Sequence, residues 1–158
     1  IRRFVKDPSF DQLICVAIAK HSDFKLEGIE DERTLLHARL IRDADKLDNC
    51  RVKLEESMET LLDMDEKTVG ASPISPKVWE SCKAEKSVLS ADRKTGMDYW
   101  MSYLALYFDI NFPETYQIIK EQDYIRRIAE RVPYSREDTK EKVAYTVKKL
   151  EEKMNIQP

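Results

Sequence analysis

The chain has 158 residues, 42% hydrophobic and 36% charged, enough for one domain with a buried core. Its three glycines, Gly28, Gly70 and Gly96, stand isolated, which excludes glycine-rich phosphate loops and argues against a turn-rich β-sandwich. With 30 acidic against 27 basic residues the formal net charge is −3, so bulk nucleic-acid binding by phosphate neutralisation is not expected.

Cys15, Cys50 and Cys82 are odd in number, far apart and form no Cys-x-x-Cys pair. That pattern excludes zinc ribbons and thioredoxin-like sites, and it points to a reducing, cytoplasmic setting without structural disulfides. No stretch reaches the roughly 18 apolar residues of a membrane span, so no membrane partner is expected. The densest apolar run, Trp100 to Phe108, is broken by Ser102 and followed by Asp109. No secretory signal is read. The chain opens on Ile1-Arg-Arg-Phe without an initiator Met, which raises the expectation of a longer parent protein.

Helical spacing dominates from the start. Phe10, Leu13, Ile14, Ala17 and Ile18 line one face of a first helix, with Asp7 or Ser9 as its cap and His21 extending the series. After a loop holding Gly28, Asp31 is placed to cap a second helix from about Glu32. Leu36, Leu40, Ile41, Ala44 and Leu47 form its apolar arc, and the pattern continues through Met58, Leu61 and Leu62. Residues 64–76, with Gly70, Pro73 and Pro76, read as an internal loop. Ser75-Pro76 then opens a helix through Val78, Trp79 and Cys82.

Gly96 precedes an apolar, aromatic helix from Met97 to about Ile110. Trp100, Tyr103, Tyr107 and Phe108 recur on it at a spacing that favours core over a base-stacking surface. Pro113 starts a short helix, a further one runs through Tyr124, Ile125 and Ile128, and Pro133 ends it. Ser135 and Asp138 resemble a capping box for a last helix striped by Val143, Val147, Leu150 and Met154. That stripe most simply packs on the domain; an intermolecular helix pair, and with it a homodimer, is the alternative. The expected fold is an all-α single domain over residues 1–158.

The chemically informative segment is Arg39 to Asn49, where Asp43, Asp45 and Asp48 interrupt an otherwise apolar helix. A carboxylate at the edge of a buried stripe is costly unless paired or metal-bound. Helical phase puts Asp48 inside the apolar arc and Asp43 and Asp45 on its margins, so periodicity alone favours Asp48 as the buried acid. The bland alternative is a wet face of mixed charges, with Arg39 and Asp43 paired one turn apart.

The string Ile41 to Asp48, Ile-Arg-Asp-Ala-Asp-Lys-Leu-Asp, resembles the last motif of the HD-domain metal-dependent phosphohydrolases. The upstream run Ala17-Ile-Ala-Lys-His21 resembles the helix that precedes it, and Asp98 to Ile110 resembles the C-terminal helices of bacterial members of this size. The resemblance implies an HD-like helical bundle that hydrolyses a phosphate ester, expected to be a nucleotide. It implies a divalent metal ion (Mn, Fe, Ni, Mg or Zn) bound through Asp45, the distant Asp of the motif. Asp45 is then expected in a cleft and Asp43 at the surface.

His21 becomes a ligand of a second ion or of the phosphate, and Arg42 and Lys46 become candidate phosphate contacts. Outside the resemblance, His21 is a helix-terminal residue bonding its own last carbonyls. The chain departs from the family in having only His21 and His37 and no His-Asp pair. The first His and the His-Asp pair are therefore expected upstream of Ile1. His37 reads as a surface residue, and Asp109 as a helix-end ion pair rather than part of a substrate pocket. The alternative function is a degenerate, non-catalytic HD domain that senses a ligand or binds a protein.

Overall fold

A computed structural model describes residue 1 and residues 3–156. Among them are nine α-helices and no strand, so the all-helical expectation holds. No described helix is long and apolar enough to cross a membrane. The chain divides into two compact units, Ile1–Asp45 and Lys46–Pro158.

Unit one contains α1 (Asp11–Lys20), entered through a 3-10 turn at Pro8–Phe10, and the first part of α2 (Glu32–Glu55). Both starts are made by aspartates. Asp7 accepts a bond from the Ser9 amide at 2.9 Å, and Asp31 accepts from the Thr34 amide and hydroxyl at 2.7 and 2.5 Å. These donors favour the ionised carboxylates and hold both below the ordinary range.

The expected apolar arc of α2 is turned outward here. Leu36 and Leu40 are 52% and 54% exposed, whereas Thr34, Ala38, Arg42 and Asp43 are buried. The reason lies in α1. The carbonyls that follow a helix end lack intrahelical partners, and Arg42 supplies donors to two of them. That bond selects the Thr34, Ala38, Arg42 face, at intervals of four, over the leucine face.

Unit two holds the apolar core. Around α6 (Gly96–Ala105) pack α4 (Glu66–Ala71), α5 (Pro76–Lys83), α8 (Tyr124–Glu130) and α9 (Glu137–Ile156). α3 (Met58–Leu62) and α7 (Pro113–Glu121) complete it. Met97, Trp100, Met101, Leu104, Ile128 and Leu150 are fully buried, and Tyr107 and Phe108 join them as the aromatic spacing anticipated. The stripe Val143, Val147, Leu150, Met154 faces this core, as the simpler reading held.

Four sequence expectations fail in detail. Residues 64–76 are not one loop: Asp65 caps α4 by accepting from the Lys67 and Thr68 amides at 2.9 and 3.0 Å. Gly70 sits inside that helix because the Pro133 carbonyl oxygen lies 2.3 Å from where a Cβ would stand. α2 does not run on to Leu62; it stops at Glu55, and Ser57 caps the separate α3. The aromatic helix ends at Ala105 in a 3-10 turn over Leu106–Phe108. Ser135 and Asp138 make no capping box: Asp138 pairs instead with Arg136 at 3.1 Å and Lys142 at 3.3 Å.

The capping box that does form, Thr95 with Asp98, was not read from the sequence. Asp98 is fully buried and accepts from the Ser75 amide and hydroxyl and the Lys94 and Thr95 amides, at 2.5 to 3.1 Å. Ser75 precedes Pro76 at the start of α5 as expected, but its hydroxyl serves Asp98 rather than its own helix.

Candidate functional site

The expected site residues of unit one begin with His21, half-buried at the end of α1. Its Nδ1 lies 2.6 Å from the Ile18 carbonyl oxygen. A carbonyl can only accept, so Nδ1 carries the hydrogen and the neutral ring keeps its lone pair on Nε2. The helix-end bond anticipated for a purely structural histidine is therefore present. It also produces the tautomer that a ligand or proton acceptor at Nε2 requires.

The turn after α1 is held from two further sides. Lys20 Nζ pairs with Asp23 Oδ2 at 2.9 Å, and the Asp23 amide donates to the Lys20 carbonyl at 3.2 Å. Arg42 Nη1 donates to the His21 carbonyl at 3.1 Å and to the Asp23 carbonyl. Arg42, expected as a phosphate contact, is only 6% exposed and is directed at these backbone oxygens.

Asp45 follows Arg42 by three residues, about 4.5 Å along α2. It is exposed, and Asp43 is 1% exposed, the reverse of the expected pair. The face chosen by Arg42 carries its neighbour Asp43 inward and leaves Asp45 on the open side. Asp48, which periodicity favoured as the buried acid, is also exposed and binds Arg51 at 3.0 Å. His37, read as a surface residue, is half-buried.

In unit two, the Lys46 side chain is 6% exposed, with its ammonium 2.9 Å from Asp109 Oδ2 and also bonded to the Asp109 carbonyl. Asp109 closes the 3-10 turn that follows α6, so a cation meets both the terminal carbonyl and the carboxylate there. The helix-end ion pair read at Asp109 is present, and its partner is the lysine expected to meet phosphate.

Among the described residues no group of three or more His, Cys, Asp or Glu could hold a metal ion. His21 and Asp45 offer one imidazole and one carboxylate, fewer than the three or four protein ligands of a stable divalent site. The residues present do not by themselves fit the implied metal. Two cavities of unit two, about 460 Å³ beside α7 and about 600 Å³ between α8 and α9, contain none of the expected site residues.

What the sequence reading missed is the structural use of Arg42. Its spacing with Thr34 and Ala38 was the available signal, masked by the stronger leucine pattern. No family model, curated protein or solved structure matches the chain.

Proposed function

We propose that the chain is the greater part of an HD-like helical domain that hydrolyses a phosphate ester, in the first instance a nucleotide. Asp45 serves as one ligand of a divalent metal, and His21 meets the phosphate or a second ion. The observation that carries this reading is the bond from Arg42 to the His21 carbonyl. It ties the imidazole-bearing turn to the helix that presents Asp45, with Nε2 left as the acceptor. Because two donors do not make a metal site, the remaining ligands come from residues outside these 158. A phosphate contact by Lys46 requires it to exchange Asp109 for the ligand.

The test uses the parent protein and residues 1–158 side by side, with elemental analysis and hydrolysis of nucleoside monophosphates in added Mn or Mg. Asp45→Asn keeps the shape and removes the anion, so metal content and turnover in the parent both collapse. His21→Ala leaves the metal bound and slows turnover about a hundredfold or more, the usual loss for an electrostatic or acid–base contact. Tight stoichiometric metal on residues 1–158 alone, or metal content indifferent to Asp45→Asn, would overturn the assignment.

The second reading is a non-catalytic module for ligand sensing or protein binding. It is favoured by the exposure of Leu36 and Leu40 next to a carboxylate with too few companion ligands. A parent protein that binds no divalent ion and hydrolyses no phosphate ester decides for it.

A further inference from the structure

We propose that Arg42 is a positioning residue for His21, fixing the ring as its Nδ1–H tautomer on the helix that bears Asp45. As a role in hydrolysis, this rests on the function proposed above. As a statement about the imidazole, it stands on the hydrogen bonds alone.

The turn Lys20–Asp23 leaves two carbonyls, those of His21 and Asp23, beyond the last intrahelical bond of α1. Left to water, that turn would fray, and the ring would sample both tautomers. Arg42 reaches both oxygens from one nitrogen, across 21 and 19 residues of sequence. At 6% exposed it is no mobile surface arginine. With the His21 carbonyl held, the backbone at this residue is fixed, and the ring keeps Nδ1 at 2.6 Å from the Ile18 oxygen. The lone pair on Nε2 follows, because a neutral imidazole has one donor and one acceptor nitrogen. Lys20 secures the same turn through its ion pair with the Asp23 carboxylate. Arg42 is thus the side chain that links the imidazole to α2. The terminal nitrogen Nη1 carries two N–H bonds, one for each carbonyl.

The experiment is nitrogen-15 NMR of the ring nitrogens in the full chain, recorded at alkaline pH, with His37→Gln used for assignment. Wild-type His21 gives a single Nδ1–H tautomer. Arg42→Gln gives a mixture with an unchanged far-ultraviolet circular dichroism spectrum, and Arg42→Lys recovers part of the wild-type signal. A wild-type ring found as Nε2–H overturns the proposal without any variant, so a poorly folding Arg42→Gln does not shelter it. An Arg42→Gln ring that keeps the wild-type tautomer overturns it too.

In the parent protein, Arg42→Gln slows hydrolysis about a hundredfold, as misplacement of a reacting group does. The His21→Ala, Arg42→Gln double variant is no slower than His21→Ala, since the two act as a unit. Additive losses in that cycle overturn the positioning role. A parent that hydrolyses nothing, yet whose His21 tautomer depends on Arg42, sinks the hydrolase reading and leaves the positioning of the ring standing.

Discussion

The two units of the chain are held by different forces. Every residue of the hydrophobic core cluster, from Cys50 to Met154, belongs to unit two. In unit one the fully buried apolar side chains are Ala17 and Ala38, while Phe4, Ile18, Phe24, Leu36 and Leu40 are exposed. Its order comes from local polar bonds: Asp31 on Thr34, Lys20 on Asp23 and Arg42 on the turn after α1. A net hydrogen bond contributes about 0.5–1.5 kcal/mol, against about 1.5–3 kcal/mol for a buried large apolar side chain. The expected site residues His21 and Asp45 therefore sit where structure is specified by direction rather than by volume, in the unit more open to local fluctuation.

The largest expected effect tests that contrast directly. Leu104 is fully buried in unit two and Leu40 is 54% exposed in unit one. Leu104→Ala should cost about 2–5 kcal/mol, from lost burial and the cavity left behind. Leu40→Ala should change stability by no more than about 0.5 kcal/mol. Guanidinium denaturation followed by circular dichroism reads both. Equal losses would mean that the leucine face is buried in solution, and the comparison would break.

Smaller losses sharpen the account of how unit two is closed. Asp98→Ala takes the carboxylate away from the part-buried donors of Ser75, Lys94 and Thr95, and a hydrogen bond to a charged group is worth about 1.5–3 kcal/mol. A net loss of about 3 kcal/mol is expected, and Asp98→Asn recovers only part because half of its amide donates rather than accepts. Gly70→Ala places a methyl group against the Pro133 carbonyl and should cost about 1–3 kcal/mol as the two segments move apart. A Gly70→Ala protein as stable as wild type would show that residues 132–135 yield without cost.

These same residues explain what could be read in advance. The Asp31 cap was legible because its signature and its target lie three residues apart. The core stripe of α9 was legible because one apolar period runs through its whole length. α4 was hidden by Gly70, whose purpose is a carbonyl some sixty residues away, so a turn signal and a packing signal looked alike. The bond of Asp98 to Ser75, 23 residues upstream, was hidden for the same reason, whereas its capping box with Thr95, three residues away, was legible and not read. At the site, the placement of His21 at a helix end was legible. Which face of α2 turns inward was not, since the two backbone oxygens that decide it leave only the faint Thr34, Ala38, Arg42 spacing beneath a stronger leucine pattern.

The smallest effect at neutral pH is a difference among the thiols. Cys15, in unit one, is exposed; Cys50 and Cys82, in unit two, are buried. Desolvation raises Cys50 from an ordinary value of 9.0 to about 11, partly offset by the hydrogen bond with Tyr107, whose Oη lies 3.3 Å from Sγ. Desolvation likewise raises Cys82 to about 12. The thiolate is the reactive form, so an aromatic disulfide reagent at pH 7 should modify Cys15 quickly and the other two only when unit two opens. Above pH 9 the unfolded chain releases these two protons while the folded chain keeps them. The stabilisation is complete below about pH 9 and is lost as pH rises through the folded values near 11 and 12. The denaturation midpoint of unit two should therefore fall with rising alkalinity, and Cys50→Ala with Cys82→Ala should flatten that fall. Buried tyrosines, Tyr107 above all, leave a residual slope because burial raises them too. If all three thiols react together at pH 7, Cys50 and Cys82 are no better shielded than Cys15, and the division between a packed unit and a hydrogen-bonded one falls with them.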